Sequence, residues 1–432
     1  MSTPAGATTR PLAVGDTRTR RLHGCGAWLA AVVVVLLLPH VIRTPVAVPV
    51  MNQMGIAIVF ALSYNMLLGQ GGMLSFGHAV YFGLGGFVAA HALNQAGHGA
   101  WWLPLPLVPL VGGLGGLVFA ALFGSFSTVR AGTVFAMISL GIAELMAASS
   151  LIFNKFFGGE EGITANRTKA PVVFGLSFTT DREVYYLIVA WALAATALMY
   201  AFSRTPVGRM ANAVRDNPER AEFVGYSARW IRYVTFSAAG FFAGVAGGLF
   251  AANYEILTAE NMGLNASGGV LLMTYIGGIG YFMGPVVGAI VFTFLQSMLS
   301  DYTDVWLLYL GIVFLATVLF VPMGLTGILV MHGAAWRARR LGRLAGPYVV
   351  TALAVAVAAL GIVGLVEMLH VLVSAPPSRS TRRLFWALVN VRTIAPWILF
   401  SAIAAAGALG LRWTLPRAAA AFADASRPGP AQ

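Results

Sequence analysis

Lysine occurs only as Lys155 and Lys169 in 432 residues, and cysteine only as Cys25. A lone cysteine excludes an intramolecular disulfide and any zinc site built from several thiolates. Neither lysine stands in a Gly-x-x-x-x-Gly-Lys-[Ser/Thr] loop, so the chain has no Walker-type nucleotide cradle of its own. Charge is scarce too: Asp, Glu, Lys and Arg make up 10% of the chain, against about 25% in soluble domains. Apolar side chains reach 58%, with a mean hydropathy of +0.80, more than one aqueous core can use. A bilayer is the solvent that accounts for them.

The net charge of +12 does not point to nucleic acid, because the arginines cluster in short segments flanking apolar runs, as in cytoplasmic loops of membrane proteins. Residues 1–26 are polar and basic, with Arg10, Arg18, Arg20 and Arg21, and the run behind them lacks a clear small-residue cleavage site. They read as a cytoplasmic N-terminal tail before a retained first span. A helix needs about 20 apolar residues to cross hydrocarbon. Such runs fall near 27–43, 50–68, 79–94, 103–124, 132–153, 184–202, 232–253, 267–299, 304–321, 347–371 and 394–412. The run 267–299 is long enough for two pieces around Gly284-Pro285. The expected fold is an all-α, polytopic transmembrane helical bundle of roughly ten spans, with broken or half-membrane helices.

The basic stretches 204–232 and 337–343 are expected in the cytoplasm with the tail. The loop 154–183 is expected outside; there Lys155, Arg167, Lys169 and Arg182 are offset by Glu160, Glu161, Asp181 and Glu183. The domain reading is a tail 1–26, a transmembrane domain 27–331 containing the loop 204–231, and an extension 332–432 with a basic segment and two apolar runs. Arg379, Arg382, Arg383 and Arg392 separate those two runs. Two crossings would carry these arginines outside, against the usual bias, and a run lying along the membrane is the alternative.

Three stretches carry chemistry. In Gly69–Phe87, glycines and a few polar side chains interrupt apolar sequence, and in lipid such a break survives only where protein or water satisfies the freed backbone. Gly69 to His78 therefore mark a cavity or substrate path, or else close helix packing through Gly83, Gly86 and Ala90. His78 has no second ligand at metal spacing and reads as a structural hydrogen-bonding group. Glu144, inside the run 132–153, must face the bundle or a polar path, and a helix–helix tie is the preferred reading. In Thr205–Tyr226, Met210, Ala213 and Val214 recur at helical spacing, Asn217-Pro218 restarts a helix and Gly225 ends it. Two short helices docking on a cytoplasmic partner are expected. Tyr275–Ala289 is a second glycine-broken passage, and paired breaks of this kind mark substrate paths in transporters.

These stretches, in this order, resemble ABC permeases of the LivM/LivH type, LivM-like, over about residues 50 to 331. The family's Gly-rich signature is similar to Gly69, Leu74, Ser75, Gly77, His78, Ala79, Gly83 and Gly85. An intramembrane Glu followed by Gly-Gly-x-x-Gly matches Glu144 with Gly158, Gly159 and Gly162. The coupling loop resembles Gly208, Arg209, Ala213, Arg215, Asn217, Ala221 and Gly225. The later glycine elements look like Gly277, Gly278, Gly280, Gly284, Pro285, Gly288 and Ala289. Tyr281-Phe282 and Ala259 depart from the pattern, where small or hydroxyl residues and proline are commoner.

The resemblance implies a multi-pass plasma (inner) membrane permease subunit of an ABC importer that translocates branched-chain amino acids or a related small polar solute. It implies a second homologous permease, two cytoplasmic ATP-binding subunits and an external solute-binding protein as partners. This chain would hold no cofactor or metal and catalyse nothing, ATP being used by the partners. Gly208, Arg209, Ala213, Arg215, Asp216, Asn217, Glu219, Ala221 and Gly225 would form the ATPase-coupling surface. Gly69, Ser75, Gly77, His78, Glu144, Gly277, Gly278, Gly280, Gly284 and Pro285 would border the path. An ion-coupled secondary transporter is the alternative, although Glu144 and His78 barely supply the ion-binding groups it needs. A remoter one is an intramembrane serine protease built on Asn265-Ala-Ser-Gly-Gly269 with His332 and His370.

Overall fold

A computed structural model describes residues 32–42, 44–172, 175, 177–321, 323–337, 342–374, 381–384 and 387–426. The tail 1–26, Cys25, the start of the first apolar run, and Arg339, Arg340 and Arg379 lie outside these residues. The first helix, α1, covers Val32–Val41. Helix α2 (Ala47–Asn65) runs into a π-helical turn, Met66–Gln70, and an irregular stretch leads to α3 (Ala79–Gly97). Then come α4 (Val108–Ser127), α5 (Thr133–Ile152) and a single turn, α6 (Asn154–Phe157). Strand β1 (Ile163–Thr164) precedes α7 (Asp181–Arg204), the short α8 (Pro206–Asp216) and α9 (Pro218–Phe223), and α10 (Ala228–Tyr254). Strand β2 (Ile256–Leu257) is followed by α11 (Leu264–Gly277), α12 (Gly284–Tyr302), α13 (Trp306–Phe320) and α14 (Gly324–Arg337). The chain ends with α15 (Gly342–Ser374), strands β3 (Thr381–Leu384) and β4 (Ala387–Asn390), and α16 (Ile394–Ser426).

Among the described residues, eight helices are long and apolar enough to cross a membrane, or nine if α13 and α14, bent by 45° at their junction, make one span. Helix α3 has the length but falls outside this set, since its glycines and His91, Asn94 and Gln95 lower its hydropathy. Most of its residues are buried, so lipid does not have to accommodate them. Helix α11 has 14 residues, about 21 Å, which is short of the roughly 30 Å of hydrocarbon. It is the half-membrane element expected before Gly284-Pro285.

Chain contacts divide the structure into two compact units, up to Met298 and from Leu299 onward. In the first, α10 is the buried centre and packs on α2, α3 and α4. Association inside a bilayer relies on close backbone approach, which small residues permit. A Cβ on Gly112 of α4 would come within 2.6 Å of the Gly244 carbonyl oxygen, and one on Gly85 of α3 within 2.5 Å of the Gly244 Cα. Gly244 thus sits where three helices touch at backbone distance. At one end, β1 pairs antiparallel with β2 (Ile163 with Leu257, Thr164 with Ile256). Beside them the buried Arg167 guanidinium donates to the Asn253 carbonyl at 3.1 Å and to the Asp181 carboxylate at 2.8 Å. The loop 154–183 is thereby tied to the end of α10 and the start of α7.

In the second unit, α15 and α16 are each 33 residues long and pair antiparallel: a Cβ on Gly361 would lie 2.6 Å from the Ala404 Cα, and one on Gly407 2.5 Å from the Ala358 Cα. Because they pair along their length, one cannot cross the membrane while the other lies along it. Both are long and apolar enough to cross a membrane. Glu367 of α15 is buried and accepts hydrogen bonds from Thr303 Oγ1 at 2.6 Å and Tyr309 OH at 3.1 Å, which ties α15 to the start of α13.

Gly244→Leu should lower the thermal stability of the detergent-solubilised protein by about 1–3 kcal/mol or abolish folding, as overpacking at a backbone seam does. Gly311→Ala, whose added Cβ meets nothing within 4 Å, should leave the melting curve unchanged or slightly raised. Glu367→Leu removes the acceptor of two hydroxyls and should cost about 1–3 kcal/mol for each left unsatisfied. Glu367→Gln keeps an acceptor and should melt closer to the parent in the same thermal scan.

Candidate functional site

The stretch 205–226 forms the two short helices that the spacing predicts. Thr205 Oγ1 accepts from the Gly208 amide at 3.2 Å and Asn217 Oδ1 from the Arg220 amide at 3.0 Å, so α8 and α9 each begin with a capping side chain followed by proline. Ala211, Val214 and Ala221 turn inward onto Ala228 and Ile231 of α10, and Gly208 faces the backbone of Phe202 and Ser203 at the end of α7. Gly225 ends the pair at φ 91°, a conformation that favours glycine, with the Tyr226 amide donating to the Ala221 carbonyl at 3.1 Å. Arg209, Arg215, Asp216, Asn217 and Glu219 lie on the exposed side, and Ala213 is half-buried. Phe223 and Val224 at the end of α9 are 89% and 72% exposed, and Trp230 in the first turn of α10 is 61% exposed.

The first glycine-broken stretch is enclosed by protein. Tyr64 OH donates to the Ser75 carbonyl at 3.0 Å, and Ser139 Oγ accepts from the Phe76 amide at 3.0 Å. Ser75 Oγ accepts from the Gly77 amide at 3.3 Å, and Ser267 Oγ from the Ala79 amide at 3.1 Å. Four side chains thus satisfy backbone groups that the break frees or leaves pending, as burial in an apolar medium requires. Ser63 Oγ already donates to the Phe60 carbonyl, so the His78 Nε2–H donates to Ser63 Oγ at 2.9 Å. The His78 ring is stacked on Phe60 and edge-on to Tyr64 and Tyr81, and its Nδ1 has no partner among the described residues. This is the structural histidine that the sequence suggests.

The second break, 278–283, turns at Gly278, φ 109°, and brings α12 back against α11: a Cβ on Gly288 would lie 2.7 Å from the Gly277 amide nitrogen. Gly277, Gly284 and Pro285 are buried, and Gly280 is exposed with open space around it. Phe282, a departure from the family pattern, packs against Tyr200 near the end of α7.

The structure joins these three elements at Gly69. Its α-carbon faces the second break so closely that a Cβ would lie 2.7 Å from the Ile279 carbonyl oxygen. Its own carbonyl accepts a hydrogen bond from Arg215 Nη1, and Arg215 Nε also pairs with Asp216 at 3.0 Å. Gly72, at φ 65°, packs on the Arg215 side-chain stem. Arg215, which the sequence places on a contact surface, therefore links α8 to the first break and, through Gly69, to the second, which spacing could not reveal because these partners are distant in the chain.

Glu144 is not joined to this junction. Among the described residues no hydrogen bond or ion pair ties Glu144 to another helix: α5 buries Phe135, Ala136, Ser139, Ile142 and Ala143, and the helical rotation leaves Glu144 on the opposite, exposed side. The intramembrane acid that does tie helices is Glu367, which the sequence reading passed over although it too is a lone carboxylate in an apolar run. Ser267 is buried with its hydroxyl accepting from the α3 amide, and the two ring nitrogens of His332 contact the Ile328 carbonyl and the Tyr348 hydroxyl at 2.7 Å each. No group of three or more His, Cys, Asp or Glu that could hold a metal occurs among the described residues. An apolar cavity of about 470 Å³ lies among α1, α2, α7 and α12, lined by Met51, Ile58, Val189, Leu193 and Val286. It has no charged group to meet a zwitterion, so it is suited to apolar chains.

Comparison with known proteins agrees with this architecture. Residues 46–322 match the family model described as branched-chain amino acid transport system / permease component. The chain is similar to the high-affinity branched-chain amino acid transport system permease protein LivM of Escherichia coli, 26% identical over 294 residues, or 62% of this chain and 67% of that protein. It is 23% identical to LivH of Salmonella typhimurium over 56% of this chain and 82% of the relative, and 26% identical to a probable LivM of Methanocaldococcus jannaschii over 63% and 90%. No solved structure matches the chain. With the matched region covering both broken segments and the two capped end helices, the chain belongs to the family of branched-chain amino acid transport system permease components.

Proposed function

We propose that this permease subunit of an ABC-type importer carries a branched-chain amino acid across the plasma membrane and that α8 and α9 receive the stroke of partner ATP-binding subunits. The observation that carries the reading is the junction at Gly69, where Arg215 joins the α8–α9 pair to the two broken helices. The exposed Phe223, Val224 and Trp230 suit an apolar groove on the ATPase, with Arg209, Asp216, Asn217 and Glu219 supplying polar contacts around it. Closure of the ATPase pair would move α8 and α9 as one body, because their inward residues are packed on α10. Arg215 would pass that displacement to Gly69 and, through its contact, to Ile279.

The remaining assignments follow from this placement. The N-terminus and the α8–α9 end would be cytoplasmic, and the β1–β2 end would face an external solute-binding protein. A second, similar permease would complete the path. ATP would bind in the partner subunits, and this chain would catalyse no reaction. Lys155 and Lys169, far from any phosphate-loop pattern, are in keeping with that division of labour.

The test is leucine uptake by proteoliposomes holding the whole assembly. Uptake should require ATP. Arg215→Ala should keep the ATPase bound but reduce uptake about tenfold or more, the loss of one charge-assisted hydrogen bond in the transmission, with Arg215→Lys intermediate. Gly225→Trp, which places a bulky side chain on the docking surface and strains a positive φ, should reduce co-purification of the ATPase as well. Uptake driven by a proton or sodium gradient and indifferent to ATP would replace this reading with a secondary transporter.

A further inference from the structure

A carboxylate inside a bilayer is costly unless something compensates its charge, so its partner reveals its role. Glu144 is eleven residues into the 20-residue α5, about 17 Å from the first residue and near the middle of the span. From that depth its short side chain cannot reach either interface. It is exposed in this chain and makes no hydrogen bond or ion pair among the described residues. Val134, Met137, Gly141 and Leu145 share its outward stripe, and a Cβ on Gly141 would meet nothing within 4 Å. Lipid would leave the charge uncompensated, so protein or a polar path must cover this face.

We infer that the Glu144 stripe borders the path between this chain and the second permease, and that the Glu144 carboxylate is the counter-charge for the ammonium group of the passing amino acid. This rests on the amino-acid importer reading above. The stripe offers both halves of the required chemistry. The carboxylate meets the ammonium, and Val134, Met137 and Leu145 meet a branched aliphatic side chain, with room left by Gly141. A fixed ion pair with the other permease is the competing use of the same group. Helix α5 contains no lysine, arginine or histidine, so this face itself offers the Glu144 carboxylate no cation.

The experiment compares wild type, Glu144→Gln and Glu144→Asp in the purified assembly, measuring co-purification of the second permease and ATP-driven uptake of radiolabelled leucine. The inference expects all three to assemble alike, Glu144→Gln to lose about tenfold or more of the maximal uptake rate at similar KM, and Glu144→Asp to recover part of it. Loss of the second permease from the Glu144→Gln assembly would make Glu144 a subunit tie and overturn the inference. Wild-type uptake by Glu144→Gln would overturn it too. If the wild-type assembly itself shows no ATP-driven leucine uptake, the importer reading fails first, and the ammonium role falls with it.

Discussion

A helix that breaks inside hydrocarbon frees amides and carbonyls that lipid cannot satisfy, and this constraint organises the first unit of the protein. The chain breaks twice, at 71–78 and at 278–283, and in each case protein supplies the missing partners. Ser75, Ser139 and Ser267 accept from backbone amides of the first break, and Tyr64 donates to one of its carbonyls. The second break is closed by Gly277, Gly284 and Gly288 meeting at backbone distance. The first break is enclosed by the helices around it, and those helices can approach only because glycine lines the seams.

That enclosure has a mechanical consequence. Close-packed interiors shift between discrete arrangements and do not deform continuously, so a displacement applied at one contact is carried to the next. Arg215 reaches from α8 to the Gly69 carbonyl, and Gly69 abuts Ile279. A push on the exposed α8–α9 surface therefore meets both breaks within two contacts. The opposite end is held differently: Arg167, buried between Asn253 and Asp181, pins the loop 154–183 to the start of α7 and the end of α10.

The two intramembrane acids show how identical side chains receive opposite roles. Glu367 has Thr303 and Tyr309 within hydrogen-bond distance and is buried, so its cost is offset inside the chain. Glu144 is exposed and has no such partner among the described residues. Such an exposed carboxylate at mid-span marks a surface that the isolated subunit leaves incomplete.

Much of this was legible from residues alone. The capped starts at Thr205-Pro206 and Asn217-Pro218, the stop at Gly225 and the two glycine breaks are local signals, set by backbone sterics and by the absence of water in the bilayer, and the structure has each of them where it was expected; of the roughly ten spans expected from apolar runs, eight or nine stand among the described residues. Which side of a helix meets a neighbour is not local. The outward turn of Glu144, the inward reach of Arg215, the exposure of Phe223 and the pairing of α15 with α16 depend on residues far apart in the chain. Periodicity states that a helix has faces; only packing against the other helices decides what each face touches, because that choice is made by contacts whose partners the local sequence does not contain.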